Sequence, residues 1–286
     1  MSPTAIPGNL LLKNGMVITG SQKNKGLLDE FTGAAAAYSL RDLTFLRGSP
    51  VVRVRRDNDN AEQDFTATEV SNGTLAAWVG AGNDGFVRTW YDQSGNGRNA
   101  EQTTNANQPE IVSNGSVITE GSQPTLLFDG NGDFLDVNST TNIVYAFSAL
   151  KTSTGLSNFS MLLGPRSSNL PFVAFGNATS KFNDETYTVI LNSSNYFYTK
   201  QNLQNIYNLL TTDFAGSSIY ANGIARTFAS LGSISINAGF NIGARNNTAL
   251  STYAGALQEL IIYSATQSAN RAAIETNINA HYSIYP

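Results

Sequence analysis

Short apolar runs separated by turns of Asn, Gly and Ser fill the second half of the chain. Short strands at this spacing, with no helices between them, are typical of an antiparallel sandwich. The clearest hairpin is predicted at Ser218–Ile224, because Asn222-Gly223 suits a two-residue type I′ turn. The other predicted strands are Tyr145–Leu150, Phe159–Leu163, Phe172–Phe175, Tyr187–Leu191, Tyr196–Thr199 and Ile206–Thr211.

Helical spacing predicts three helices, at Ala34–Leu46, Thr74–Val79 and Ser268–His281. The first opens with an alanine run of high helix propensity, and its leucines recur every three residues. The last has an acceptable N-cap in Ser268 and an apolar face. This face is formed by Ile274, Ile278 and Tyr282.

The segment Val51–Arg56 alternates apolar and basic residues, which predicts a half-buried strand. Its valines face one side, and Arg53 and Arg55 face the other. We expect these arginines to pair with the acidic residues that follow rather than with a phosphate, because the acids are adjacent in sequence. The acids are Asp57, Asp59, Glu62 and Asp64.

Three segments are predicted along the chain. Residues 1–33 form an arm, in which two short apolar pieces flank Asn14-Gly15, a dipeptide that suits a hairpin turn. Residues 34–125 form a cap packed on the main sandwich, and residues 126–286 form the sandwich itself. The boundary is placed in a stretch rich in Asn, Gln, Gly and Ser. We expect the apolar arm to contact other copies of the chain and neighbouring proteins.

Composition excludes several function classes. Only 13% of the 286 residues are charged, about half the usual share, while 41% are hydrophobic. The net charge of −4 argues against nucleic-acid binding, and the absence of cysteine excludes disulfides and zinc–thiolate sites. No apolar run approaches the roughly 20 residues needed to insert in a membrane. The first 20 residues show no signal peptide, so a virion or extracellular surface would be reached by assembly or lysis.

The most informative motif is WYDQSGNGRNA, Trp90 to Ala100, which joins an apolar run to a dense turn. In one interpretation, Asp92 and Arg98 form a sugar-binding edge flanked by the rings of Trp90 and Tyr91. In the other, Asp92 accepts hydrogen bonds from its own turn, and Trp90 or Tyr91 is a core residue. The second is favoured, because a turn so rich in Asn and Gly needs a local organiser. Further stacking candidates are Tyr196 and Tyr198.

The segment from Asp42 to Ala100 resembles the opening of the fungal B-type α-L-arabinofuranosidase catalytic domain and the phage and bacterial surface proteins that carry this segment. The resemblance is carried by VVRVRRDNDNAEQDF and LAAWVGAGNDGFVRTWYDQSGNGRNAEQ. Later, LLFDGNGDFLDV and YAGALQELIIY resemble the strands that open and close a concanavalin A-like jelly roll. The resemblance therefore implies an all-β protein, an antiparallel β-sandwich with a few short helices and an N-terminal arm.

In that family the nucleophile is the glutamate of a Gly-Asn-Ala-Glu run, but the nearest match here is Gly176-Asn177-Ala178-Thr179. The segment matching the acid/base aspartate, Ile242 to Asn246, contains no aspartate, and the family's cysteines are missing. Asp184 and Glu185 lie near enough to supply a nucleophile instead. The resemblance thus implies a fold that has lost the hydrolytic residues, with an active hydrolase as the alternative.

Metal and triad chemistry have little support. Asp129 to Asp133 has the spacing of an oxygen-ligand loop, but it lacks the glycine and the distal glutamate of an EF-hand. A tight turn whose acids are solvated or cap the turn is the favoured interpretation. His281 is the only histidine, so a catalytic triad or a multi-histidine metal site is not expected. We predict neither a metal nor a cofactor.

The predicted function is that of a non-enzymatic phage virion component, such as a capsid decoration, tail or fibre protein, that binds surface glycans. Its candidate ligand-binding residues are Trp90, Tyr91, Asp92, Arg98, Tyr196 and Tyr198. The alternative is an arabinofuranosidase-like glycoside hydrolase. A purely architectural part with no ligand is the third possibility.

Overall fold

The computed structural model describes residues 25–45, 48–153, 160–166, 173–176, 187–192, 195–200, 205–216, 218–227, 239–245 and 252–286, with two further short strands near the N-terminus. Strands are the predominant element, and the helices are few and short. The helices are α1 (Leu27–Glu30), α2 (Ala67–Ser71), α3 (Thr74–Val79) and α4 (Arg271–Tyr282). The strands are β1 (Asn9–Leu11), β2 (Val17–Thr19), β3 (Ala34–Ser39), β4 (Pro50–Arg56), β5 (Glu62–Thr66), β6 (Gly85–Trp90), β7 (Ala100–Glu101), β8 (Glu110–Ser113), β9 (Ser116–Val117), β10 (Thr119–Glu120), β11 (Gln123–Pro124), β12 (Leu126–Asp129), β13 (Leu135–Val137), β14 (Tyr145–Thr152), β15 (Ser160–Pro165), β16 (Val173–Gly176), β17 (Tyr187–Asn192), β18 (Asn195–Lys200), β19 (Tyr207–Asp213), β20 (Ser218–Ala221), β21 (Ile224–Thr227), β22 (Phe240–Ile242) and β23 (Ala254–Tyr263).

Two antiparallel layers form the body of the protein. The β14 sheet has the order β21-β20-β19-β14-β23, and both β3 and β12 pair with the free side of β23. The β13 sheet has the order β18-β17-β16-β15-β22-β13-β7-β6-β4-β5. Strand β8 pairs with both β12 and β6 and links the layers. This architecture confirms the predicted all-β antiparallel sandwich.

Apolar side chains of the two layers meet in one continuous core. Leu150 and Leu257 of the β14 sheet belong to the same buried cluster as Leu135 and Ile242 of the β13 sheet. The cluster also takes in residues on both sides of position 125, among them Val52, which lies in the predicted cap. The division into cap and sandwich therefore remains a prediction, but the two segments share their core.

The β14 sheet is buried on both faces. On the side away from the main core, Phe147 and Ile261 pack with Ile274 and Ile278 of α4 and with Leu27 of α1. A sheet covered on both faces needs apolar residues at successive positions. This explains the nearly continuous apolar runs of β14 and β23, whose residues alternate between the two clusters.

The helix predicted at Ala34–Leu46 is wrong, because residues Ala34–Ser39 form strand β3. β3 pairs with β23, with Ala36 opposite Ile262 and Tyr38 opposite Leu260. All six of its residues are buried. Helix propensity is a weak preference of a few tenths of a kcal/mol per residue, and a strand site buried on both faces overrides it.

Other local predictions are confirmed. Helix α3 has the predicted bounds, and the β20–β21 hairpin turns at Asn222 and Gly223, with φ values of 53° and 75° that fit a type I′ turn. The closing helix α4 also forms, but Asn270 occupies its N-cap position instead of Ser268. No helix in the described parts of the chain is long and apolar enough to span a bilayer.

The predicted arm is described only in part. β1 pairs with β2 in the antiparallel sense, while the predicted Asn14-Gly15 turn lies outside the described residues. Leu27, Leu28 and Phe31 are buried beside α4, so the last residues of the predicted arm belong to the core of the sandwich. The expected contacts of the arm with other chains remain a prediction.

Candidate functional site

Asp92 organises the turn that follows β6. Its Oδ1 accepts hydrogen bonds from the backbone N–H of Ala37 and of Ser94, both at 2.9 Å. Its Oδ2 accepts from the Ser94 hydroxyl at 2.8 Å and from the Arg98 N–H at 3.0 Å. These four bonds close the turn and fasten it to β3. The contacts are those of the turn-organising interpretation.

Trp90, a stacking candidate from the sequence, is instead a core residue. Its side chain is fully buried, and its ring centroid lies 5.6 Å from that of Tyr38. A ring without solvent exposure cannot stack on a ligand. The predicted flanking role of Trp90 therefore does not fit the structure.

Tyr91 lies on the solvent-facing side of the β13 sheet. Its hydroxyl donates to Asp64 Oδ1 at 2.7 Å, and the same oxygen accepts from Arg53 Nε at 2.7 Å. Burial and the Asp64 carboxylate raise the pKa of Tyr91 to about 12, while the hydrogen bond from Arg53 lowers the pKa of Asp64. Tyr91 is therefore a neutral donor that fixes the position of a carboxylate.

Ion pairs continue from Asp64 across the sheet. Arg53 lies 4.0 Å from Glu62, and Arg88 lies 3.7 Å from both Glu62 and Glu101. We call the row Asp64, Arg53, Glu62, Arg88 and Glu101 the charged band. Within it, Arg53 pairs with Glu62 and Asp64, two of the acids predicted as its partners.

Arg55 does not follow this pattern. The register of β4 against β6 shifts between Arg53 and Val54, and Arg55 is buried, with its Nε donating to Gln108 Oε1 at 2.8 Å. The prediction that Arg53 and Arg55 lie on one exposed side is therefore wrong. A β-bulge changes which side of a strand its later residues face.

A cleft of about 500 Å³ lies where the charged band meets the Trp90–Ala100 turn. We call it the Arg98 cleft. Its walls come from the turn, from the residues at and after β7, and from the residues at and after β13. The lining consists of Gly97, Arg98, Asn99, Glu101, Gln102, Thr103, Phe134, Asp136, Asn138 and Ser139.

Two carboxylates lie side by side in the lining of this cleft. Glu101 and Asp136 are direct partners in the antiparallel pairing of β7 with β13. Directly opposed residues have Cβ atoms about 4.5–5.5 Å apart and side chains on the same face. Arg166 Nε lies 2.6 Å from Asp136 Oδ1, and its Nη1 donates to Asn138 Oδ1 at 2.6 Å. The acceptor groups of the cleft are therefore held in position by arginines.

Arg98 is anchored at two points in the lining of the cleft. Its Nε donates to Ser139 Oγ at 3.3 Å, and its Nη1 donates to the carbonyl oxygen of Ala35 at 2.5 Å. The lining thus contains donors, in Arg98 and the amides of Asn99 and Asn138, as well as the acceptors Glu101 and Asp136. A lining with both kinds of group suits a polyol, whose hydroxyls both donate and accept.

Tyr196 and Tyr198 do not join this cleft. They lie on β18, which is five strands from β13 along the sheet, or roughly 24 Å at the usual strand spacing. Their side chains fall outside the described residues. Of the six residues predicted from the sequence, the structure places Arg98 in the cleft wall and Asp92 directly beneath it.

The positions that match the family's catalytic residues are only partly described. Gly176 ends β16, whereas Asn177 to Thr179 and the substitute acids Asp184 and Glu185 lie outside the described residues. Residues 242–245 are described and offer no carboxylate. The predicted loss of the hydrolytic pair therefore remains a prediction.

The Asp129–Asp133 loop holds itself together. Asn131 N–H donates to Asp129 Oδ1 at 2.6 Å, and Asp129 N–H donates to Asp133 Oδ2 at 2.9 Å. Burial and the charge of Asp129 raise the pKa of Asp133 to about 7. Within the ranges that the structure describes, no group of three or more His, Asp or Glu side chains is placed to hold a metal ion.

His281 belongs to a different cleft of about 390 Å³, beside Arg41 and α4. Burial and the charge of Arg41 lower its pKa to about 4, so the imidazole is neutral at pH 7. The residues missed by sequence reasoning are Glu101, Asp136 and Asn138. The alternation of β13 is a sequence signal for Asp136, but the sequence does not show that β7, which carries Glu101, pairs with it.

The chain matches no family model and no curated protein sequence. Several solved structures resemble it, and two of them each have 13% sequence identity and a TM-score of 0.61. The first, an arabinofuranosidase complexed with arabinofuranosyl-α-1,2-xylobiose, is matched over 86% of this chain and 62% of that chain. The second, a GH54 α-L-arabinofuranosidase soaked with a cyclic sulfate inhibitor, is matched over 89% of this chain and 64% of that chain. The chain thus spans less than two thirds of either neighbour. At this identity the similarity is one of fold, and the chain has the β-sandwich fold of these arabinofuranosidases.

Proposed function

We propose that the chain binds carbohydrate in the Arg98 cleft. The proposal rests on a cleft of about 500 Å³ whose lining contains both hydrogen-bond donors and acceptors, a size that suits a short oligosaccharide. It is supported by the fold, since one structure of similar fold contains an arabinofuranosyl-xylobiose ligand. Substrate-sized sugars are held mainly by such hydrogen bonds when no aromatic platform is exposed.

We further propose that binding occurs without hydrolysis. Glycosidases need one carboxyl group that gives up a proton and a second that acts as nucleophile or base. In the cleft, Asp136 is held by Arg166 and Glu101 faces Arg88, so both are positioned as hydrogen-bond acceptors. The motif match adds that Thr179 stands where the family has its nucleophile.

Hydrolysis is the alternative, and one observation favours it. The Cβ atoms of Glu101 and Asp136, as direct cross-strand partners, are expected about 4.5–5.5 Å apart, which allows their carboxyl groups the roughly 5–5.5 Å separation of retaining glycosidases. Release of nitrophenol from 4-nitrophenyl α-L-arabinofuranoside distinguishes the two functions. We expect no turnover above a boiled control, and turnover that disappears in E101Q or D136N would establish the hydrolase.

Loss of cleft hydrogen bonds is expected to weaken binding. We predict that E101A and N138A each lower the affinity for arabinofuranosyl-xylobiose or a related oligosaccharide by about 5- to 20-fold, because each removes one or two hydrogen bonds. Titration calorimetry measures the change. The matched control is T276A, an exposed position on α4 in the other layer. Equal affinities in all three variants would move the site away from the cleft.

We propose that glycan binding serves to attach a virion or another particle, on whose surface several copies of the chain are displayed. Weak single sites gain strength when copies are linked, and the apolar pieces of residues 1–24 are the proposed contact between copies. The segment assigned to this contact ends at residue 24, because Leu27 and Leu28 are core residues.

Removal of residues 1–24 is therefore expected to convert an oligomer to a monomer while the fold is kept. Light scattering measures the mass of both forms, and circular dichroism checks the fold. A full-length chain that is already a monomer at micromolar concentration would contradict assembly through this segment.

A further inference from the structure

Both carboxylates that line the Arg98 cleft are paired with arginines. Glu101 faces Arg88 at 3.7 Å, and Asp136 faces Arg166 at 2.6 Å. Arg98 forms no ion pair within 4.0 Å with the residues that the structure describes. The Arg98 guanidinium is therefore the charged group of the lining that no carboxylate contacts directly.

The carboxylate nearest to this charge in sequence is already saturated. Asp92 lies in the turn beneath Arg98 and accepts four hydrogen bonds, one of them from the backbone N–H of Arg98 itself. Its oxygens therefore face backbone and Ser94 donors rather than the guanidinium. Asp92 reduces the local positive potential but does not occupy the free side of Arg98.

The guanidinium is also held in a fixed orientation. The bonds from Nε to Ser139 and from Nη1 to Ala35 use two of its five N–H groups. One Nη1–H and both Nη2–H groups meet no acceptor in the described parts of the protein. These hydrogens form a planar fork at the cleft wall, and a fork of this kind matches a carboxylate with two parallel hydrogen bonds.

We propose that the ligand is an acidic glycan that carries one uronic-acid-type carboxylate and that Arg98 binds this carboxylate. The inference rests on the proposed carbohydrate binding and adds the chemical class of the sugar. Neutral hydroxyls of the same ligand meet Asn99, Asn138 and the two carboxylates. Because Glu101 and Asp136 repel further negative charge, the cleft accepts one acidic group at one position and disfavours a polyanion.

The test compares glycans that differ in one group only. Xylobiose with a single glucuronic acid branch is titrated into the full chain beside the same glycan after reduction of that carboxyl group to an alcohol. We expect the acidic form to bind at least about tenfold more tightly, because a charge-assisted hydrogen bond adds about this much to the affinity. This comparison needs no variant, so it stands even where a substitution disturbs the turn.

Two substitutions then locate the effect. R98Q is expected to abolish the preference for the acidic form, and R98K to keep part of it, while K25Q, at an exposed lysine of the other cleft, leaves it unchanged. Equal binding of both glycans by the unmodified chain would overturn the acidic-ligand inference and leave carbohydrate binding intact. Failure of every glycan to bind a folded chain would overturn both. Preference for a sulfated neutral glycan over the uronate would overturn the assignment to a carboxylate.

Discussion

Replacement of Arg41 by alanine is expected to lower the free energy of unfolding by about 3–5 kcal/mol, the cost of leaving a buried charge without its partner. Glu259 is completely buried in the middle of β23. Its Oε2 lies 2.7 Å from Arg41 Nε, and its Oε1 accepts from Arg41 Nη2 at 3.0 Å. The neutral hydroxyls of Ser39 and Tyr282 supply the further hydrogen bonds, at 2.9 Å and 3.2 Å. Without the guanidinium, the carboxylate keeps too few partners to offset its loss of water.

Chemical denaturation of three variants separates this effect from a general loss of packing. R41M/E259L, which replaces both charges with apolar groups of similar volume, is expected to recover most of the stability lost in R41A. K151Q breaks the partly exposed pair with Glu120 and is expected to cost only about 0–1 kcal/mol. If R41A costs no more than K151Q, the Glu259 site is not the desolvated pair that the structure describes.

Replacement of Asp133 by asparagine is expected to stabilise the protein at pH 8, by about 1–3 kcal/mol after allowance for solvent screening. Burial raises the pKa of Asp133 from its ordinary 3.8 to about 7. The folded chain therefore retains a proton between these values that the unfolded chain has lost. This contribution to stability is complete below pH 3.8 and is lost as the pH rises through 7.

Asparagine is uncharged throughout this range and can still accept the N–H of Asp129, so D133N avoids the loss. Thermal melts at pH 3.5 and pH 8 measure it: the variant and the parent should coincide at the lower pH and separate at the higher. The control is E30Q, which alters an exposed carboxylate of α1. A constant difference at both pH values would show that the variant acts through packing rather than through charge.

His281 contributes to the same pH profile with the opposite sign. Its pKa falls from 6.5 to about 4 in the folded chain, so the stability it provides is present above pH 6.5 and is lost as the pH falls through 4. Comparison of D133N with its parent at equal pH removes this shared contribution.

The sequence predicts the fold class and most short strands, because both depend on local patterns. Turn dipeptides mark hairpins, and Asn222-Gly223 forms the expected turn. The failure at Ala34–Ser39 has a physical cause. Four alanines favour a helix in isolation, but their small side chains also suit a strand covered on both faces. Only the pairing with β23, more than 200 residues away, selects the strand.

The candidate site was less accessible to sequence reasoning. Arg98 and Asp92 stand out because their turn is distinctive. Asp136 becomes a candidate site residue only when its position opposite Glu101 is known. Register between strands distant in sequence depends on the whole sandwich. The burial of Trp90 is likewise decided by the sheet that covers it, since a terminal strand residue can face either side.

The pairing of β3 with β23 determines when β3 can fold during synthesis of the chain. Tyr38 lies opposite Leu260, so β3 must wait until more than 200 further residues have been made before its partner strand exists. Until then, its apolar residues have no strand partner and are available to chaperones or to other nascent chains. Contacts this distant in sequence slow folding, because a long loop must close before they form. We expect chains that terminate before β23 to aggregate rather than to fold partially.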